Sequence, residues 1–122
     1  MTANTPRSRK TKGQKFQKDI VNKLREHFEL DSNEDDCFNG DITARLMGGS
    51  GTDIILSPKA KELIPFDIEA KAQEKTNPFE WIKQAHENSS EDRIPLVIFK
   101  RNRSKPYCII SLDDLLYLFK NK

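Results

Sequence analysis

Phe16, Ile20, Leu24 and Phe28 recur at helical spacing, with Val21 beside them, and predict a helix from about Lys12 to Leu30. An acidic, polar loop follows over residues 31–40. Ile42 to Met47 and Thr52 to Leu56 read as two short strands, the second rich in β-branched residues, with Gly48-Gly49-Ser50-Gly51 as the turn between them. Ser57-Pro58 ends the second strand. After a connection, Pro65 to Lys71 makes a third. Asn77 then offers an N-cap, Pro78 suits a first helical position and Glu80 completes a capping box, so a helix runs to about Asn88. Pro95 to Phe99 has the pattern of a buried strand. Arg101 to Pro106 is a basic turn, and Tyr107 to Ile110 pairs back as a hairpin. Ser111 and Asp114 form a second capping box, which opens a last helix through Leu115, Leu116, Leu118 and Phe119. The order is α-β-β-β-α-β-β-α. It describes one α/β domain over residues 12–122, a mixed central sheet flanked by helices, behind a basic flexible arm over residues 1–11.

Composition narrows this picture. A chain of 122 residues supports a single core, and with 33% charged residues most of the surface must be ionic. No apolar run approaches the ~20 residues of a membrane-spanning helix. The segment from Met1 to Lys12 is polar and basic, without the apolar stretch of a secretory signal. Cys37 and Cys108 alone make no disulfide framework, so a reducing, cytoplasmic setting is expected. Cys108 lies in an apolar strand and reads as core. The net charge of +2 conceals segregation. Arg7, Arg9, Lys10, Lys12, Lys15 and Lys18 precede the first acid, Asp19. Lys100, Arg101, Arg103 and Lys105 form a second basic cluster, while acids gather between Asp31 and Asp41. Such segregation suits a polyanionic partner, although a solvated tail and a charged turn give the same pattern.

Candidate chemistry lies between Gly51 and Lys71. Side chains two apart on a strand share a face, roughly 6–7 Å apart along it. Glu69 and Lys71 therefore project together, while Phe66, Ile68 and Ala70 face the core. If the strands pair, Asp53 lies beside Glu69. Two carboxylates and an ammonium suit phosphodiester hydrolysis. The carboxylates are hard ligands for Mg²⁺, which polarises a phosphate and acidifies a bound water, and the ammonium orients that water or offsets growing charge. A Glu-x-Lys on an exposed strand and an Asp after Gly-Thr are each ordinary alone; their combination on neighbouring strands points to a site. Asp67 shares the Glu69 face as a weaker candidate ligand. Trp81 reads as packing for its helix. His27 and His86 are isolated, with no zinc-ligand spacing around them.

Asp53 followed by Glu69-Ala70-Lys71 resembles the signature of the PD-(D/E)xK nuclease superfamily. That resemblance implies a restriction-endonuclease-like αβββαβ core. The segment Gly13 to Gln17, the turn Gly48 to Gly51 and Asp53-Ile54-Ile55 are similar to archaeal-type Holliday-junction resolvases and related small phage endonucleases. The resemblance implies an Mg²⁺-dependent DNA endonuclease, with Mn²⁺ able to substitute. Asp53, Glu69 and the Ala70 carbonyl would hold the metal, and Lys71 would be the base or water-orienting group. It also implies branched recombination or replication DNA as substrate, a homodimer, and action in the cytoplasm, that of the host if viral. Gln17 departs from the pattern, standing where the resolvases carry a glutamate. Because it falls on the apolar side of its helix it needs a partner, at a cost of about 1–3 kcal/mol without one, and the expected partners are Asp53, a metal-bound water or Lys71. Gln84 resembles a glutamine that related nucleases place near the site. Arg7, Arg9, Lys10, Lys12, Lys15, Ser50, Arg101 and Arg103 are the expected DNA contacts. The alternatives are a restriction-type or nicking endonuclease, and a non-catalytic DNA-binding accessory domain; the intact Asp53, Glu69 and Lys71 argue against the latter.

Overall fold

The computed structural model describes residues 6–31, 36–46 and 51–121, the first five of these by their backbone. Helix α1 (Pro6–Phe28) opens on a proline, whose missing N–H has no helical partner to lose. It starts six residues before Lys12, so residues 6–11 of the expected arm are helical. Apolar spacing could not reveal this, because Arg7 to Thr11 carries no apolar residue. Strands β1 (Ile42–Ala44) and β2 (Ile54–Leu56) pair antiparallel; β1 ends at Ala44, and Met47, the expected strand end, lies outside the described residues.

Where only a connection was expected, a short helix α2 (Pro58–Leu63) forms. The Ser57 hydroxyl accepts the Ala60 N–H at 3.1 Å and donates to the Asp41 carboxylate at 2.7 Å. Strand β3 (Phe66–Ala72) then runs parallel to β4 (Ile94–Lys100), and helix α3 (Pro78–Asn88) is the crossover between them. Asn77 makes no side-chain cap bond, because its backbone (ψ 72°) leaves the extended conformation that aims a cap at the helix. Strand β5 (Tyr107–Ile109) pairs antiparallel with β4, and helix α4 (Leu112–Lys120) is capped by Ser111 as the sequence predicts.

The sheet has two distinct faces. On one, Phe16, Ile20 and Val21 of α1 pack with Ile42, Ile54, Ile68 and Leu96. On the other, Trp81 and Ala85 of α3 pack with Val97 and Phe99. The β3–β4 register sorts the residues accordingly: Ile68 lies opposite Leu96 on the α1 face, whereas Glu69 lies opposite Val97 and Lys71 opposite Phe99 on the α3 face. Period-two alternation along β3 thus separates core from chemistry.

The acidic loop is organised by one buried cation. Arg25, 4% exposed, donates to the carbonyls of Ile42 (3.0 and 2.7 Å), Asp36 (2.9 Å) and Asn39 (2.9 Å), and its Nε lies 3.2 Å from Asp31. Asp31 in turn accepts the N–H groups of Asp41 and Ile42. Gly40 makes this approach possible. Its φ is +132°, and a Cβ there would meet the Asp31 carboxylate at 2.6 Å.

Burial would raise the Asp31 carboxyl, but the Asp41 and Ile42 N–H groups and Arg25 outweigh it and hold it below the ordinary value. Its contribution is therefore present above the unfolded carboxylate range and lost as pH falls through the depressed folded value. Asp31→Asn should cost about 2–4 kcal/mol near pH 7, because it removes a carboxylate from beside the buried Arg25. In urea unfolding, that difference should shrink as the pH is taken below the carboxylate range. A difference independent of pH would contradict the ionic role of Asp31.

Candidate active site

Strand β3 is paired with β4 along all its length, from Phe66 to Ala72. Its other edge meets the chain entering β2, where the Asp53 N–H donates to the Ile68 carbonyl at 3.0 Å. Two residues further along the same edge, the Ala70 N–H donates to Asp53 Oδ2 at 2.7 Å. The aspartate side chain thus continues a ladder that its own backbone begins. Successive residues of a strand present their N–H and C=O groups to alternate edges, so the Ala70 carbonyl faces this same edge beside Asp53.

Glu69 and Lys71 project from β3 towards α3. Glu69 is 2% exposed, and Asn88 Nδ2 donates to its Oε1 at 2.7 Å. Lys71 Nζ donates to Gln84 Oε1 at 2.5 Å. Gln84 and Asn88 stand four apart on α3 and share one helix face, so a single helix holds both side chains. Burial pushes the Glu69 carboxyl up to about 7. The Asn88 amide pulls it down, the neighbouring Asp53 carboxylate raises it, and Lys71 lowers it.

The donors gathered at this edge are two carboxylates and a backbone carbonyl. Among the described residues no group of three or more His, Cys, Asp or Glu comes together. Three hard oxygens leave half an octahedron for water and a phosphate oxygen, a set that fits Mg²⁺. A buried carboxylate whose proton is held up to about 7 beside a second carboxylate is also a site where a divalent cation would relieve the charge.

A family model described as "Phage putative PDDEXK endonuclease" matches residues 8–122. The chain belongs to this phage PDDEXK endonuclease family. No curated protein and no solved structure gives a match. The PDDEXK core of helix, three strands, helix and strand corresponds here to α1, β1 to β3, α3 and β4, with α2 as an addition.

Within this PDDEXK chain the other expected site residues divide. Gln84 meets Lys71, as expected of a residue near the site. Gln17 is buried, but it accepts a 3.3 Å bond from Gln14, and no hydrogen bond among the described residues joins it to Asp53 or Lys71. The reason is layer order: α1 covers one face of β3, and Glu69 and Lys71 leave by the other. Asp67 is held by Arg93 at 2.8 Å and by Ser89 and Ser90, so its oxygens serve the fold. Trp81 packs against Phe99 as expected. Cys108 is exposed, not core, because β5 is the edge strand of its sheet. Arg7, Arg9 and Lys10 lie on α1. Lys15 pairs with Asp19 at 3.2 Å, and Arg101 and Arg103 are exposed on the 101–106 turn. Ser50 lies outside the described residues. Asn88 was not anticipated; its four-residue spacing from Gln84 was the available signal.

The raised Glu69 carboxyl gives a testable sign. A carboxyl lifted above its unfolded value of 4.5 carries a penalty that is absent at low pH, grows as pH rises, and is complete above about 7. In EDTA near pH 8, Glu69→Gln should therefore be more stable than the wild type, by on the order of 3 kcal/mol at most. Near pH 4 the two should unfold alike. Equal stability at both pH values would contradict the buried, unbalanced carboxylate.

Proposed function

We propose that this chain is an Mg²⁺-dependent endodeoxyribonuclease, with Mn²⁺ as a substitute, acting on branched recombination or replication DNA. The carrying observation is that Asp53 docks on the β3 edge at Ala70 beside Glu69, which shares the α3 face with Lys71. When bound there, the metal supplies Lewis-acid polarisation of the phosphate and a more acidic water. Asp53 keeps one oxygen on the Ala70 N–H and has the other for the cation. Glu69 keeps one on Asn88 and turns the second towards Asp53. Lys71, steadied by Gln84, donates its remaining hydrogens to the attacking water and to the phosphate oxygens as they gain charge. Without a cation, the paired carboxylates would repel the phosphodiester.

Two further features support this reading of substrate and assembly. Basic residues cluster on the first turns of α1 and on the 101–106 turn, which suits phosphate contacts. Leu112, Leu115, Leu116, Tyr117 and Phe119 of α4 are exposed, and none of its described residues is buried. The exposed apolar side chains Leu112, Leu115, Leu116 and Tyr117 support a two-fold homodimer, and two related sites suit paired cuts at a junction. No helix among the described residues is long and apolar enough to cross a membrane. The phage family supports action in the host cytoplasm.

The test is cleavage of four-way, nicked and linear DNA with and without Mg²⁺, beside light scattering of the protein. Asp53→Asn, Glu69→Gln and Lys71→Ala should each lose cleavage by at least ~10²-fold while still binding DNA in Ca²⁺, because they act on metal and water, not on affinity. Full activity in Asp53→Asn would remove the assigned site. A monomer that cuts linear duplex as fast as junctions would remove the branched-DNA reading alone.

A further inference from the structure

A cavity of about 190 Å³ opens between the first turns of α1 and the ends of β3 and β4. Its floor includes Phe16 and Ala72. Its walls carry Lys12, Lys15 and one carboxylate, Asp19, from the helix, Lys100 from the end of β4, and Arg101 and Asn102 from the turn that follows. The charge is not balanced locally. Asp19 pairs with Lys15, and Glu74 lies 3.9 Å from Arg101 and accepts the Asn102 N–H at 2.8 Å. Lys12 and Lys100 have no carboxylate partner among the described residues. Two uncompensated ammonium groups over a small apolar floor form an anion site of a size to take a phosphodiester.

Its position relative to the catalytic edge is informative. Ala72 and Lys100 belong to the α1 face of the sheet, whereas Glu69 and Lys71 leave by the α3 face. Along the chain, however, Ala72 directly follows Lys71, a step of about 3.8 Å. The cavity and the site are therefore back to back at the same end of β3. Layers of a fold stand about 10 Å apart, and one strand of a duplex carries a phosphate about every 3.4 Å of axis.

Resting on the nuclease reading, we propose that this cleft binds a backbone phosphate of the strand being cut, close to the scissile bond. The strand is thereby drawn around the C-terminal end of β3, from the α3 face to the α1 face. A straight duplex is too stiff to turn within so few base pairs. A strand that departs from its duplex at a junction, nick or flap can make the turn. The cleft therefore selects DNA by the path of one strand, without reading bases.

The experiment pairs Lys12→Gln/Lys100→Gln with scanning of single neutral methylphosphonates along the cut strand. Both lysines are half-buried, and a circular dichroism melt like that of the wild type checks the fold. Lys59→Gln, on α2, is the control. In Ca²⁺, the slope of log affinity against log salt should be shallower by about two units in the double variant and unchanged in the control. In Mg²⁺, one methylphosphonate position near the cut should slow the wild type and have no further effect on the double variant. A wild-type salt slope in the double variant, or the same interference pattern in both proteins, would overturn the cleft. If the wild type cuts none of the DNAs, the nuclease reading fails, and the salt slope still decides the cleft independently.

Discussion

The bond from the Ala70 N–H to the Asp53 carboxylate is the constraint on which the candidate site depends. A strand edge presents N–H groups that must be satisfied or left to water. Along β3 one edge is fully paired with β4, and the other is met first by the Asp53 backbone and then by its side chain. These two bonds set the β1–β2 pair against the three-stranded sheet. They also leave the second Asp53 oxygen beside the Ala70 carbonyl and within electrostatic reach of Glu69. The register of this edge and the geometry of the candidate site are set by these two contacts.

The rest of the fold holds this edge in place from two sides. The larger core under α1 contains Ile54 and Ile68, which flank Asp53 and Glu69 in sequence, so it anchors both strands without approaching the chemistry. The smaller cluster under α3 positions a helix whose Gln84 and Asn88 hold Lys71 and Glu69. Burying Glu69 beside Asp53 opposes stability in the cation-free chain, which is the usual relation between a working site and its scaffold. Away from the site, Arg25 with Asp31 and Arg93 with Asp67 each use a guanidinium, buried in Arg25 and half-buried in Arg93, to gather backbone carbonyls.

Much of this was legible in the sequence where a short period carried the signal. The alternation in β3 separated Glu69 and Lys71 from Ile68 and Ala70, and the apolar spacing of α1 named Phe16, Ile20 and Val21 as core. Four features were not legible for physical reasons. The first turns of α1 contain no apolar residue to mark them. Helix α2 is too short to show a period, although Ser57-Pro58 held its start signal. Gln17 lies on the buried side of α1, but a helical wheel cannot say which face of β3 that side covers, and the structure joins it to Gln14. The acidic segment looked like a solvated loop because its partner, Arg25 on the preceding helix, reads in sequence as an ordinary surface residue.

The most direct measurement is the Ala70 amide followed by NMR during a titration with Mg²⁺. In the wild type this N–H should be protected from exchange and should shift as the cation binds, because Asp53 is shared between the amide and the metal. In Asp53→Asn the Mg²⁺ response should be lost and the protection weakened. An Ala70 amide unmoved by saturating Mg²⁺ in the wild type, or an Asp53→Asn protein that binds Mg²⁺ as the wild type does, would contradict the account.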